Sequence, residues 1–295
     1  MAVRPLVAAA ACCDTAMMPG VLRPTADEAI EEWGRRVRAN RDQAERVREA
    51  AERTDFYAPV AQAYAADPRR TDEPVLDLLR GLVQPNDTWL DIGAGGGRNA
   101  LPIALAAREV IAVDVSDGML GVLREGAAKN GIENVRIVQS RWPAEEPIQA
   151  DVSLISHVGY DIEAIGPFLD AMEAATRRLC VAVLLAESPA QVAARFWPQI
   201  HGEEREPLPA LPEFLTLLLA RGHFFEVKML MRPTQGYANR EAAATFFRQQ
   251  LFIEPGGAKD RQLQALLAGE LAEREKGYAL PSGPIPLGLV TWRPR

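Results

Sequence analysis

From position 71 onward the chain alternates short apolar runs with stretches whose apolar residues recur every three or four positions. That alternation is the signature of a parallel sheet covered by helices on both faces. The apolar runs predict seven strands, at Trp89–Ile92, Val110–Asp114, Val135–Val138, Val152–Ser156, Leu179–Ala186, Phe224–Met231 and Leu287–Trp292. Helices are expected between them at Asn99–Arg108, Gly118–Asn130, Ile162–Thr176 and Glu213–Ala220. The fold class that follows is α/β, a doubly wound, seven-stranded and mostly parallel sheet.

Upstream, the pattern is purely helical. Thr25 followed three positions later by Glu28 forms a capping box that opens a charged segment reaching about Arg53. Its apolar stripe runs through Ile30, Trp33, Val37, Ala44, Val47 and Ala51, so one face is expected to pack. The arginines Arg35, Arg36, Arg38, Arg41, Arg46 and Arg48 alternate with acids, which reads as a solvated face. Between the sixth and seventh strands lie residues 233–286, too long for a bare loop and carrying helical patterns at Glu241–Gln250 and Lys259–Lys276. The organisation expected is a disordered leader over 1–20, a helical extension over 21–70, and a main domain over 71–295. Insertions are expected at about 187–223 and 233–286; the second is expected to form a helical cap or lid, and the first is read as either an acceptor wall or simple cover.

Composition narrows the partners. With 33 Lys and Arg against 40 Asp and Glu, the net charge of −7 argues against holding nucleic acid by phosphate neutralisation. The three cysteines, Cys12, Cys13 and Cys180, make neither a disulfide framework nor a zinc spacing, so no metal is expected and a cytoplasmic location fits. The run Leu6 to Cys13 is too short to span a bilayer, and no membrane partner is expected.

The chemistry lies in Trp89-Leu90-Asp91-Ile92-Gly93-Ala94-Gly95-Gly96-Gly97-Arg98-Asn99-Ala100. A buried strand ends in a carboxylate, a glycine-rich turn follows and a helix begins, which is where open α/β sheets bind ligands. The next strand ends in Asp114, a carboxylate able to accept both ribose hydroxyls of an adenosine. Together they indicate a nucleoside cofactor. Starting at Gly93, the dinucleotide fingerprint meets Arg98 at its third glycine site and fails. Asp91 at the turn would repel a pyrophosphate but suits a ligand that brings a positive charge, such as an amino-acid ammonium group.

Asp91, Gly93, Gly95 and Gly97 meet in full the Asp/Glu-x-Gly-x-Gly-x-Gly motif, and the chain resembles the class I S-adenosylmethionine-dependent methyltransferases. The resemblance implies a Rossmann-like methyltransferase fold with S-adenosyl-L-methionine as cofactor. It implies Asp91, Gly93, Ala94, Gly95 and Gly97 around the methionine part, Asp114 and Val115 at the ribose, and Met119 against adenine. Small-molecule members often carry Gly-Asp-Ala after the third strand, where this chain has Ser140-Arg141-Trp142; the backbone there, or a stacking side chain, is left to meet the base. Ser156-His157-Val158-Gly159-Tyr160 follows the fourth strand, where methyl donor and acceptor meet in this family. Ser156 is expected on the cofactor, with His157 and Tyr160 as candidate catalytic groups.

Two absences steer the acceptor. The Asn/Asp-Pro-Pro-Tyr motif of amino-methylating nucleic-acid enzymes is missing, and so is a Pro-Cys pair for attack on a pyrimidine. The function expected is methyl transfer to a small-molecule acceptor by in-line displacement, with no nucleic acid involved. A nicotinamide-dependent oxidoreductase and a non-catalytic binder of the same cofactor are the alternatives; the former lacks a Tyr-x-x-x-Lys pair, because Ala164 stands four positions after Tyr160.

Overall fold

The computed structural model describes residues 24–51, 54–275 and 277–295, so the expected leader over 1–20, with Cys12 and Cys13, lies outside the described residues. In chain order the elements begin with α1 (Ala26–Val47), a 3-10 helix (Ala58–Tyr64), α2 (Pro74–Leu82), β1 (Thr88–Ile92), α3 (Ala100–Ala104), β2 (Glu109–Asp114) and α4 (Asp117–Asn130). There follow β3 (Val135–Gln139), β4 (Ala150–Ser156), α5 (Ile165–Ala174), β5 (Thr176–Leu185), α6 (Gln191–Ala194), α7 (Trp197–His201) and α8 (Leu211–Ala220). The chain closes with β6 (Phe225–Arg232), β7 (Gly236–Tyr237), α9 (Arg240–Gln250), α10 (Ala258–Glu270), β8 (Ala272–Arg274), β9 (Gly277–Ala279) and β10 (Ile285–Trp292).

All seven expected strands join one sheet in the order β3-β2-β1-β4-β5-β10-β6. β10 runs antiparallel to both its neighbours, and the other pairings are parallel. Every residue of β1 is buried, as a central parallel strand covered on both faces requires. Leu90 and Ile92 point into a layer built by Trp33 and Val37 of α1, Phe168 of α5 and Phe214 of α8. Trp89 points the other way, against Leu79 of α2, Leu101 of α3 and Leu120 of α4. The strand order changes direction between β1 and β4, where Ile92 faces Ile155, and this opens a crevice at the carboxyl edge.

Three local expectations are corrected. α3 stops at Ala104 rather than Arg108, because Asn134 Nδ2 donates to the carbonyls of Ala104 (2.9 Å) and Ala107 (3.0 Å) and ends the helix from outside. α10 stops at Glu270, and the residues beyond it enter a second, three-stranded sheet, β7-β9-β8, which the apolar pattern did not foretell. α1 ends at Val47, and its packed stripe includes Asn40 and Gln43, whose amides bond the backbone at Glu206 and Glu204.

The arginines of α1 are also not a freely solvated face. Arg36 pairs with Glu213 (2.8 Å), Arg38 and Arg41 with Glu163 (2.9 and 2.8 Å) and Arg46 with Glu203 (3.0 Å), which ties the helix to the body. α6, α7, α9, α10 and Tyr237 of β7 share a separate core around Phe196, Trp197, Phe247 and Leu263. The segments supplying it leave β5 and β6 and return to β10 at the carboxyl edge, so this cap rises from the side where the crevice opens. Among the described residues no helix is long and apolar enough to cross a membrane.

Candidate functional site

The turn after β1 is held by backbone geometry. Gly93 and Ala94 both donate to the Val113 carbonyl, at 2.7 and 3.0 Å, and Gly97 donates to Ala94 at 3.0 Å. Gly93, Gly95 and Gly97 all have positive φ, at 73°, 54° and 81°. Their surroundings differ. A Cβ on Gly93 would stand 2.4 Å from Val158 Cγ2, and one on Gly97 2.9 Å from Leu123 Cγ, so packing requires both. At Gly95 the nearest atom would be Met119 Cε at 3.8 Å, which leaves that glycine facing open space.

Asp114 closes β2 and fixes the turn. Its Oδ2 accepts the Gly95 N–H at 2.8 Å and its Oδ1 accepts Ser116 N–H at 2.9 Å, leaving a lone pair on each oxygen for a ligand. Asp91 lies beneath, buried, with a hydrogen bond from the Ala100 backbone. Burial, with the Asp114 charge adding to it, pushes its carboxyl up to about 7. Neither acid has a cationic side chain within ion-pair distance among the described residues. Val115 is exposed beside Asp114, and Met119, in the first turn of α4, clusters with Ala61 and Val122.

The segment before the domain covers this crevice. Asp55 Oδ2 accepts Ser116 Oγ–H (2.8 Å) and Gly118 N–H (3.2 Å), and its Oδ1 accepts the amides of Tyr57 and Ala58, both at 3.1 Å. Burial opposes ionisation of Asp55, but the hydrogen bonds from Ser116, Gly118, Ala58 and Tyr57 outweigh it and hold the carboxyl below its ordinary value. Pinned this way, Phe56, Tyr57 and Tyr64 form an edge-to-face row, with centroids 5.2 and 6.2 Å apart, that keeps solvent access. Desolvation, followed by the charges of Asp161, Tyr64 and Asp114, raises the Tyr57 phenol. Gln249 Nε2 in α9 donates to Phe56 O at 2.7 Å and binds the row to the cap.

After β4 the chain turns sharply. His157, half-buried, adopts φ 58°, donates its backbone N–H to Val183 at 2.8 Å, and places Nδ1 3.5 Å from Tyr160 Oη. Burial, then the charges of Arg232 and Arg98, lowers its imidazole to about 4, which makes it neutral at physiological pH and a weak base. Tyr160 is buried and its oxygen accepts the Leu185 N–H at 2.8 Å, so its phenol braces the loop, and burial holds it far from ionisation. This bond gives Tyr160 a structural part in the loop, beside the catalytic part expected of it. Ser156 ends β4 half-buried beside these residues.

Other expected contacts separate. Trp142 donates its indole N–H to Phe168 O at 3.2 Å and packs, partly buried, against the core. Arg141 is exposed, away from this packing. Sequence reasoning did not single out Asp55, whose carboxylate ties the aromatic segment to the start of α4. Asp55 had a legible signal, an Asp placed to cap the turn that follows. Asp161 is exposed to solvent, and desolvation raises its carboxyl.

Residues 90–179 match the family profile described as a methyltransferase domain, a span that runs from β1 into β5. Curated relatives align over parts only. A tRNA/tmRNA (uracil-C(5))-methyltransferase of Pseudomonas entomophila is 30% identical over 40% of this chain and 32% of its own length. Ribosomal RNA small subunit methyltransferase G of Neisseria gonorrhoeae is 34% identical over 26% of this chain and 40% of its own. The chain thus spans well under half of those relatives. Among solved structures, the YcgJ protein of Bacillus subtilis superposes with a TM-score of 0.52 at 14% identity, over 75% of this chain and 98% of that one. A putative methyltransferase of Bacillus halodurans gives 0.52 at 13%, over 76% and 99%. These structures share the fold, a mostly parallel seven-stranded sheet with flanking helices, and the matched profile marks residues 90–179 as similar to a methyltransferase domain.

Proposed function

We propose that the protein transfers a methyl group from S-adenosylmethionine to a small-molecule acceptor, with the cofactor seated on the turn after β1. The observation that carries this reading is the pair of acids Asp91 and Asp114, brought together under an open glycine without a cationic partner among the described residues. Such a pair calls for a ligand that brings positive charge, as the ammonium and sulfonium of this cofactor do, and disfavours a dinucleotide pyrophosphate. Asp114 would hold the ribose with the lone pairs left free by Gly95 and Ser116, and Met119 would border the adenosine beside Gly95.

When bound, the cofactor supplies an electrophilic methyl on a sulfonium, and the remaining task is alignment in a dry cleft. The aromatic row of Phe56, Tyr57 and Tyr64 excludes water and offers π faces to a cation. Neutral His157, with Tyr160 behind it, shapes the end of β4 where the acceptor would meet the methyl.

The cap and the net charge of −7 favour an enclosed small acceptor over a polyanion. Attack on a pyrimidine carbon needs a thiolate, and Cys180, the one cysteine among the described residues, is buried in β5 with its thiol pushed up to about 12 by burial. A cytoplasmic location belongs to the same proposal. Titration calorimetry with S-adenosylmethionine, S-adenosylhomocysteine and NAD tests the cofactor. Turnover of labelled S-adenosylmethionine against a metabolite extract and, in parallel, against total RNA tests the acceptor. Binding of the two sulfur nucleosides but not NAD is expected, with label in the small-molecule fraction; label only in RNA overturns the acceptor class.

A further inference from the structure

A cavity of about 510 Å³ lies at the amino edge of the sheet, opposite the glycine turn. Its wall comes from strand starts: Asp87 precedes β1, Arg108 precedes β2, Asp151 is the second residue of β4, and Arg177 and Arg178 are the second and third of β5. These strands run parallel, so the wall is at the ends remote from the crevice, across the five residues of β1, about 13 Å. Gln84 and Asn86, exposed in the turn between α2 and β1, complete it.

Every side chain of this wall is polar, and three guanidinium groups meet two carboxylates. In a chain of net charge −7 that is a local surplus of positive charge. Both acids are already engaged. Asp87 Oδ2 accepts the Gln84 N–H at 3.0 Å and an N–H of Arg178. Asp151 Oδ2 accepts the Thr88 N–H at 2.8 Å, and its Oδ1 accepts Arg177 Nη1–H at 3.3 Å. The Thr88 bond, opposed by burial and assisted by Arg177 and Arg108, holds that carboxyl below its ordinary value. Arg108 donates to the Thr88 hydroxyl and has no acid within ion-pair distance among the described residues. Arg108 is exposed, and so is about half of the Arg177 side chain, which leaves donors of both open to the cavity.

We infer that this basin binds the phosphate ester of a small sugar or polyol, with the phosphate on Arg108 and Arg177 and the hydroxyls on the amides of Gln84 and Asn86. Guanidinium forks match phosphate oxygens in pairs of parallel hydrogen bonds, and the cation left without an acid gives the anion its charge partner. The volume falls in the range of small-ligand cavities, well above what a bare phosphate fills. No aromatic or aliphatic side chain lines it, so a nucleobase finds no face to stack on, whereas hydroxyls find amide donors and acceptors. Basin and crevice share no residue, and the inference stands apart from the function proposed above.

The test titrates the full chain calorimetrically with ribose 5-phosphate, inorganic phosphate and ribose, with and without excess S-adenosylhomocysteine. Ribose 5-phosphate is expected to bind about tenfold or more tightly than either fragment, equally in both conditions. Arg108→Gln should weaken it by about tenfold or more. Asn86→Asp adds a negative charge at an exposed position of the wall and should weaken it by a similar factor, with the melting temperature unchanged. Ribose or inorganic phosphate binding as tightly as ribose 5-phosphate overturns the inference, and so does binding indifferent to both variants. Competition by S-adenosylhomocysteine also overturns it, because the ligand would then occupy the crevice. Binding of a single-stranded oligoribonucleotide but not of ribose 5-phosphate overturns the small-ligand class. Circular dichroism melts of each variant establish that the fold is intact.

Discussion

Asp114 Oδ2 lies 2.8 Å from the Gly95 backbone nitrogen, so the carboxylate that closes β2 also fixes the middle of the turn after β1. One side chain thereby couples the two halves of the cofactor crevice. Asp114→Ala is expected to weaken S-adenosylmethionine binding by about 1.5 to 3 kcal/mol, the scale of lost charge-assisted hydrogen bonds. Asp114→Asn keeps one acceptor and should fall between. Calorimetry on folded variants checks the order, and unchanged affinity in the alanine variant would remove the ribose role.

The three glycines of the turn should respond differently to one methyl group. Gly93→Ala drives a Cβ to 2.4 Å from Val158 and Gly97→Ala to 2.9 Å from Leu123, so both should lower the melting temperature markedly. Gly95→Ala meets Met119 only at 3.8 Å and adds the strain of a positive φ, about 1 to 2 kcal/mol. Its main effect should be on the ligand, with cofactor affinity lost more steeply than stability. Thermal melts set beside titrations of all three variants decide whether the open face at Gly95 is the ligand's.

The central strands β1, β2, β4 and β5 were legible because buried parallel strands are written as largely continuous apolar runs, whereas the edge strands β3 and β6 mix apolar with charged, exposed positions. Asp91, the glycines and Asp114 were legible for the same local reason, since motif and strand end coincide. What stayed hidden depends on distance in sequence. The end of α3 is set by Asn134, the part of Tyr160 by Leu185, and the place of Trp142 by Phe168. The strands β7, β8 and β9 are two or three residues long, too short to carry a period.

Asp55 should matter beyond its own segment. Two of its hydrogen bonds shape the aromatic segment and two tie it to the start of α4, and among the described residues no other charged side chain bridges the two. Asp55→Ala is expected to free the row, with faster proteolysis near Phe56 and a cofactor dissociation rate raised by about tenfold. Asp55→Asn, which keeps an acceptor oxygen, should lie closer to the unaltered protein. Stopped-flow release of S-adenosylhomocysteine reads the effect, and an unchanged rate would mean that the row does not cover the ligand.

Asp91 gives a pH dependence of definite sign. Below pH 3.8 its carboxyl is protonated in the folded and the unfolded chain, and its contribution to stability is complete. As the pH rises the unfolded chain ionises first, so stability falls until the folded carboxyl ionises at about 7 and then levels off. Asp91→Asn should remove that slope from melting temperatures measured in the absence of ligand. Cofactor affinity should move the opposite way, rising toward pH 7, because an ammonium group favours the ionised acid. A ligand-free melting curve with the same pH slope in both proteins would place the titration elsewhere.

His157 separates proton transfer from architecture. Its imidazole, lowered to about 4, is neutral above pH 5, so it supplies no acidic limb to turnover near neutrality. Asn is the apt replacement, since it tolerates the left-handed backbone at φ 58° that a β-branched residue would strain. His157→Asn is expected to leave the shape of the pH profile between about 5.5 and 8.5 intact while lowering affinity for cofactor or acceptor several-fold. His157→Val should in addition lose stability. Were the imidazole a general base, the asparagine variant would instead lose about a hundredfold in turnover at unchanged cofactor affinity. Measuring cofactor affinity and the pH profile on that one variant, with whichever acceptor the metabolite screen yields, separates the two outcomes, and the hydrogen bonds around Tyr160 and Val183 favour the architectural one.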